Sequence, residues 1–111
     1  MLEIQDGAIL LTRGDSAVLH VAITNGATGE DYEMQEGDKL ILTVRKQASK
    51  LSLVVLEKVL TGSSDFVLAP GDTEKLSIGT YKYDVELRTG EDVYTVIQCN
   101  EFKLLAEVTM P

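Results

Sequence analysis

His20 and Cys99 are the only histidine and the only cysteine of the chain, so a histidine-assisted relay, a thiolate nucleophile or a zinc site would have to draw on them. A Ser–His–Asp relay needs an imidazole held in place by a third group. His20 falls on the outer face of an alternating apolar segment, where a surface or edge-of-core histidine is the expected role. A thiolate nucleophile needs a base or a cation beside it. Cys99 has neither nearby in sequence and follows an apolar run, so it reads as a small buried hydrophobe. Zinc needs about three or four His or Cys ligands, more than this chain supplies.

Carboxylates are the remaining candidates. Glu30-Asp31, Glu36 with Asp38, and Glu91-Asp92 sit in acidic loops that could offer oxygen ligands to Ca²⁺. None follows the Asp-x-Asp-x-Asp-Gly spacing of an EF-hand loop, and turn-forming acids account for them equally well. Paired carboxylates for glycoside cleavage would have to flank a sugar cleft. There is no Trp to line one, and only two Phe and four Tyr. No glycine-rich phosphate loop occurs. Arg13-Gly14-Asp15 spells an integrin-ligand tripeptide, but a turn between two strands is explanation enough. We therefore expect no catalytic residue, no cofactor and no metal.

Those residues must be placed by a mostly two-periodic chain. Ala17, Leu19, Val21 and Ile23 alternate with Val18, His20, Ala22 and Thr24, the pattern of a half-buried strand. Leu40, Leu42 and Val44 repeat it over 39–46. Tyr81, Tyr83, Val85 and Leu87 alternate with charged residues over 81–87. One wet and one dry face implies antiparallel pairing. Gly beside Asn, Asp or Glu marks turns at 13–15, 25–26, 28–31, 36–38 and 89–92. The last of these predicts a hairpin of 81–87 with 93–97. Further runs at 8–11, 53–60, 66–68 and 101–108 raise the count to about seven or eight strands, the signature of a sandwich or barrel. The segment 70–76 begins Pro70-Gly71-Asp72 and predicts a single helical turn with Asp72 as N-cap, placed at a crossover between two sheets.

Bulk properties set the frame. The chain has 111 residues and a formal charge of −8, from 18 acidic and 10 basic side chains. That size fits one domain, residues 1–111. Sparse, scattered basic residues argue against a phosphate-backbone partner and against an anionic membrane surface. A lone cysteine rules out an intramolecular disulfide scaffold. The first residues carry no basic n-region followed by an apolar h-region. Apolar runs near Ile9 and Leu53 are far shorter than the ~20 residues needed to span a bilayer. A chain made and kept in the cytosol unless something carries it out is the expectation.

Three segments resemble one known group. Leu11-Thr12-Arg13-Gly14-Asp15-Ser16-Ala17-Val18-Leu19 is similar to the opening of small phage structural domains, in which a strand follows a Thr-Arg-Gly-Asp turn. Phe66-Val67-Leu68-Ala69-Pro70-Gly71-Asp72-Thr73 resembles their apolar strand followed by Pro and an Asp-Thr turn. Ile78-Gly79-Thr80-Tyr81-Lys82-Tyr83-Asp84-Val85-Glu86-Leu87 resembles their Gly-x-Tyr-x-Tyr-Asp-Val-Glu-Leu strand, and 102–109 their final strand. The group is the N-terminal immunoglobulin-like domain of phage upper baseplate proteins, with related prophage tail proteins. The resemblance implies an all-β, immunoglobulin-like antiparallel sandwich. It also implies a non-enzymatic virion protein that forms homo-oligomers and meets other tail or baseplate proteins. The alternative expectation is a carbohydrate- or calcium-binding adhesin module.

The matching positions have structural roles: Gly14 and Asp15 in their turn, Gly79 at the strand entry, and Tyr81 and Tyr83 on the inner face. Gly79 permits a backbone that a Cβ would strain. Tyr81 stands where a strand-start tyrosine can bury its ring and bond a backbone group, as in a tyrosine corner.

Overall fold

The structure is a computed structural model that describes residues 2–5 (backbone only), 7–24, 28–47 and 51–107. The described residues form eight strands, β1 (Leu2–Gln5), β2 (Ala8–Thr12), β3 (Ala17–His20), β4 (Lys39–Arg45), β5 (Val54–Thr61), β6 (Asp65–Leu68), β7 (Gly79–Thr89) and β8 (Asp92–Leu105). A single short helix, α1 (Pro70–Thr73), joins β6 to β7. Six strands form one sheet in the order β1-β2-β8-β7-β4-β5, and β3 pairs with β6 in a second, smaller sheet. The fold is thus an all-β, sandwich-like arrangement.

Alternation produces the core. Leu40, Leu42 and Val44 of β4, Tyr81, Tyr83, Val85 and Leu87 of β7, and Ile9 and Leu11 of β2 all point inward and are buried. Leu19 of β3 and Phe66 and Leu68 of β6 close the core from the smaller sheet. Phe102 of β8 packs edge-on against Tyr83, ring centroids 6.4 Å apart and planes at 74°. A fully buried side chain of this size contributes roughly 1.5–3 kcal/mol, so the inward positions decide the register of every strand.

Four expectations need correction. The large sheet is mixed, because β2 runs parallel to β8, with Ile9 opposite Phe102 and Thr12 opposite Leu105. A two-periodic strand looks the same in either direction, so alternation could not reveal this. Segments 93–97 and 101–108, read as two strands, form the single 14-residue β8, and Val108 lies outside the described residues. β3 ends at His20, and the segment beyond it bonds irregularly: the Val21 amide donates to the Ser64 carbonyl (2.9 Å) and Thr24 bridges Asp31. Ala69, not Asp72, is the N-cap of α1. Asp72 instead reaches back from the third helical position and accepts the Ala69 amide at 2.8 Å. Pro70 occupies the first helical position, where its missing N–H costs nothing. β1 was not expected, and the Asn25-Gly26 turn lies outside the described residues.

Candidate functional site

One end of the sandwich is tied shut. Arg13 follows β2, and its guanidinium donates to both carboxylate oxygens of Glu107 (2.7 and 3.2 Å) and to the Leu76 carbonyl (3.2 Å). The Gly14 amide donates to the hydroxyl of the buried Thr73 at 2.8 Å, and the Asp15 amide to the Thr12 carbonyl at 3.1 Å. Gly14 has φ of +82°, a conformation that a Cβ penalises. The Arg-Gly-Asp tripeptide therefore fastens the β2–β3 crossover to α1 and to the segment beyond β8. Close by, Tyr81 Oη donates to the Ser77 carbonyl at 2.7 Å, and Gly79 enters β7 with φ of +149°. Tyr83 donates its hydroxyl to the carbonyl of Gly7, tying β7 to the β1–β2 turn.

Charge settles at the same end. The Arg13 guanidinium holds the Glu107 carboxyl below the usual carboxylate range. Burial opposes ionisation of Asp72, but the Lys58 ammonium 2.8 Å away and the Ala69 amide outweigh it and keep that carboxyl low. Among the described residues, Arg13, Glu107, Thr73, Asp72 and Lys58 of this cluster all bond within the chain.

The opposite end of β7 is built differently. There Leu87 and Thr89 of β7, Tyr94, Thr95 and Val96 of β8, and Tyr32 from the β3–β4 connection line a groove of about 580 Å³. Its size falls within the range of small-ligand and anchor-residue pockets, ~300–1,000 Å³. Ala22, Ile23 and Thr24 complete the wall, and no charged side chain lines it among the described residues. Four of the six aromatic residues, Phe66, Phe102, Tyr81 and Tyr83, are buried in the core. The other two, Tyr32 and Tyr94, both face this groove.

β8 is longer than the segment of β7 that it faces. Thirteen residues, Asp92 to Leu104, are spread against eleven, Gly79 to Thr89. The two extra residues make bulges opposite the steps Tyr83/Val85 and Val85/Glu86. Bulges re-aim side chains: Val96 and its neighbour Ile97 both pack against the core, while Tyr94, paired with Leu87, stands at the rim 53% exposed. Cys99 is exposed, which corrects the expectation of a buried thiol.

Tyr32 is held in place from behind. Its hydroxyl donates to Asp38, whose carboxylate also accepts the Gln35 amide at 2.9 Å. The Tyr32 and Thr89 hydroxyls and the Gln35 amide keep the Asp38 carboxyl below its ordinary range, and the same Asp38 bond raises the Tyr32 phenol. Asp38 is 3% exposed, so this acid serves the loop and is turned away from solvent. Tyr32 also continues the sandwich, its amide donating to the Ile23 carbonyl at 2.8 Å.

The remaining sequence candidates are scattered. His20 and Asp65 are register partners across β3 and β6, with Nδ1 and Oδ1 2.5 Å apart on the exposed outer face. The nearby Ser63 hydroxyl accepts the Asp65 amide at 3.3 Å. No group of three or more His, Cys, Asp or Glu side chains converges to hold a metal ion among the described residues. No helix among them is long and apolar enough to cross a membrane. Sequence reasoning missed the groove because its two tyrosines lie far apart along the chain. A usable signal was present: Tyr32 and Tyr94 are the aromatic residues outside the strong apolar alternation. No family model, curated protein or solved structure matches the chain.

Proposed function

We propose that the chain is a non-enzymatic structural protein of a phage or prophage virion, a tail or baseplate component. It works by self-association and by contact with other tail proteins. The observation that supports this best is the small sheet. β3 and β6 pair with each other alone among the described residues, so each leaves one edge of backbone N–H and C=O groups without a strand partner. An open edge is a template for a neighbouring strand. Val18 and Val67 oppose each other on the outer face and are 58% and 63% exposed. Their exposed apolar surface adds to what a second copy would bury on docking there. Repeating one such contact around an axis closes a symmetric oligomer. The tail assignment rests on the resemblance of short segments to phage baseplate domains.

Two measurements test the reading. Light scattering over a wide concentration range should show an oligomer that Val18→Lys with Val67→Lys reduces to monomer. A monomer at every concentration sinks the self-association. Mass spectrometry of density-purified phage particles should find the chain in fixed stoichiometry with tail proteins, and its absence there sinks the virion role.

A further inference from the structure

We infer that the tyrosine-lined groove is the docking site for a basic protein segment that inserts an apolar or aromatic anchor between Tyr32 and Tyr94. The groove itself is uncharged, so the inserted group is neutral: a buried charge without a partner there would be costly. Its surroundings are acidic. Glu30, Asp31 and Glu33 flank Tyr32 along the chain, and Glu91 and Asp92 form the turn between Thr89 and Tyr94; all five are exposed. Arg88, the basic residue of that hairpin end, lies within reach of Glu86 (3.6 Å) on the other face of the sheet. A partner carrying Lys or Arg on either side of an apolar anchor matches this arrangement in charge and shape.

The groove also suits recognition in its rigidity. Tyrosines and arginines dominate binding hot spots, and tyrosine offers a large contact area at low entropy cost. The Asp38 bond fixes the Tyr32 ring before any partner arrives, which lowers the ordering cost of binding. The site lies where β3–β4 and β7–β8 connections meet, the position of the B–C and F–G recognition loops in variable-type sandwiches.

This inference rests on the proposed function only in taking the chain to act through protein contacts. Its test is a selection of random dodecapeptides on the immobilised full chain, followed by fluorescence titration of the enriched peptides. Enriched peptides should carry Lys or Arg around an apolar or aromatic residue. Tyr94→Ala should weaken them by about tenfold, the effect expected of a modest hot spot. The exposed double variant Glu91→Lys with Asp92→Lys should weaken them similarly and flatten their salt dependence. No enrichment, acidic or unpatterned peptides, or equal binding by the wild type and both variants overturns the site. A saccharide or second-copy interaction abolished by Tyr94→Ala overturns the basic-segment assignment. A chain found in particles but lacking peptide binding removes this site and leaves the virion role standing. The reverse result removes the virion role alone.

Discussion

The two ends of β7 solve opposite problems. At Gly79 the chain spends its polar groups on itself: Arg13 on Glu107 and Leu76, Gly14 on Thr73, Tyr81 on Ser77. At Thr89 it holds one ring from behind through Asp38 and leaves another, Tyr94, at the rim of an uncharged groove. Both ends use tyrosine, but Tyr81 is buried and Tyr94 is exposed. A tyrosine whose ring lies in the core stabilises the fold. One at a rim adds little to the fold and is available to a partner. The tied end and the open rim thus lie at opposite ends of a single strand.

Acid should have the broadest effect. Glu107 and Asp72 at the tied end and Asp38 at the groove end all have lowered carboxyl pKa values. A lowered folded-state value stabilises the native chain above the unfolded value, and that contribution is lost as pH falls through the folded one. Stability should therefore decline below the ordinary values of 4.5 for Glu107 and 3.8 for the two aspartates. Urea unfolding at neutral and acid pH should show this decline, and Glu107→Gln should make it smaller. A Glu107→Gln profile identical to that of the parent would remove Arg13–Glu107 from the account.

Thr73→Val comes next. It removes the acceptor of the Gly14 amide and leaves that donor without its partner, a loss of roughly 1–3 kcal/mol. The urea midpoint should fall accordingly, while an unchanged midpoint would show that the tied end is not held by this bond. Tyr81→Phe deletes one hydrogen bond to the Ser77 carbonyl and should cost about 1 kcal/mol. The same unfolding curve reads it out. Tyr94→Ala should be the mildest, within about 0.5 kcal/mol of the parent, as for an ordinary surface change. A destabilisation comparable to that of Thr73→Val would mean that the two ends do the same work.

Much of the fold was legible in the chain. Alternation at Leu40-Leu42-Val44 and Tyr81-Tyr83-Val85-Leu87 located the inner faces, because side chains on a strand switch sides at every residue. Gly90 beside Glu91 placed the β7–β8 hairpin, and Pro70 placed the turn of helix. Little of the candidate site was legible. Alternation assumes an unbroken register, and the two bulges in β8 break it, so that the neighbours Val96 and Ile97 both pack against the core.

By itself, then, the sequence determined an all-β chain with defined inner faces, a turn at Arg13-Gly14-Asp15 and an acidic surface. These follow from local period, turn chemistry and composition, none of which needs a distant partner. Only the tertiary structure decided that β2 runs parallel to β8, that Arg13 closes on Glu107 across 94 positions, and that Tyr32 and Tyr94 share one groove. Each of these joins groups far apart along the chain, and strand order and bulge position, not local preference, set which of them meet.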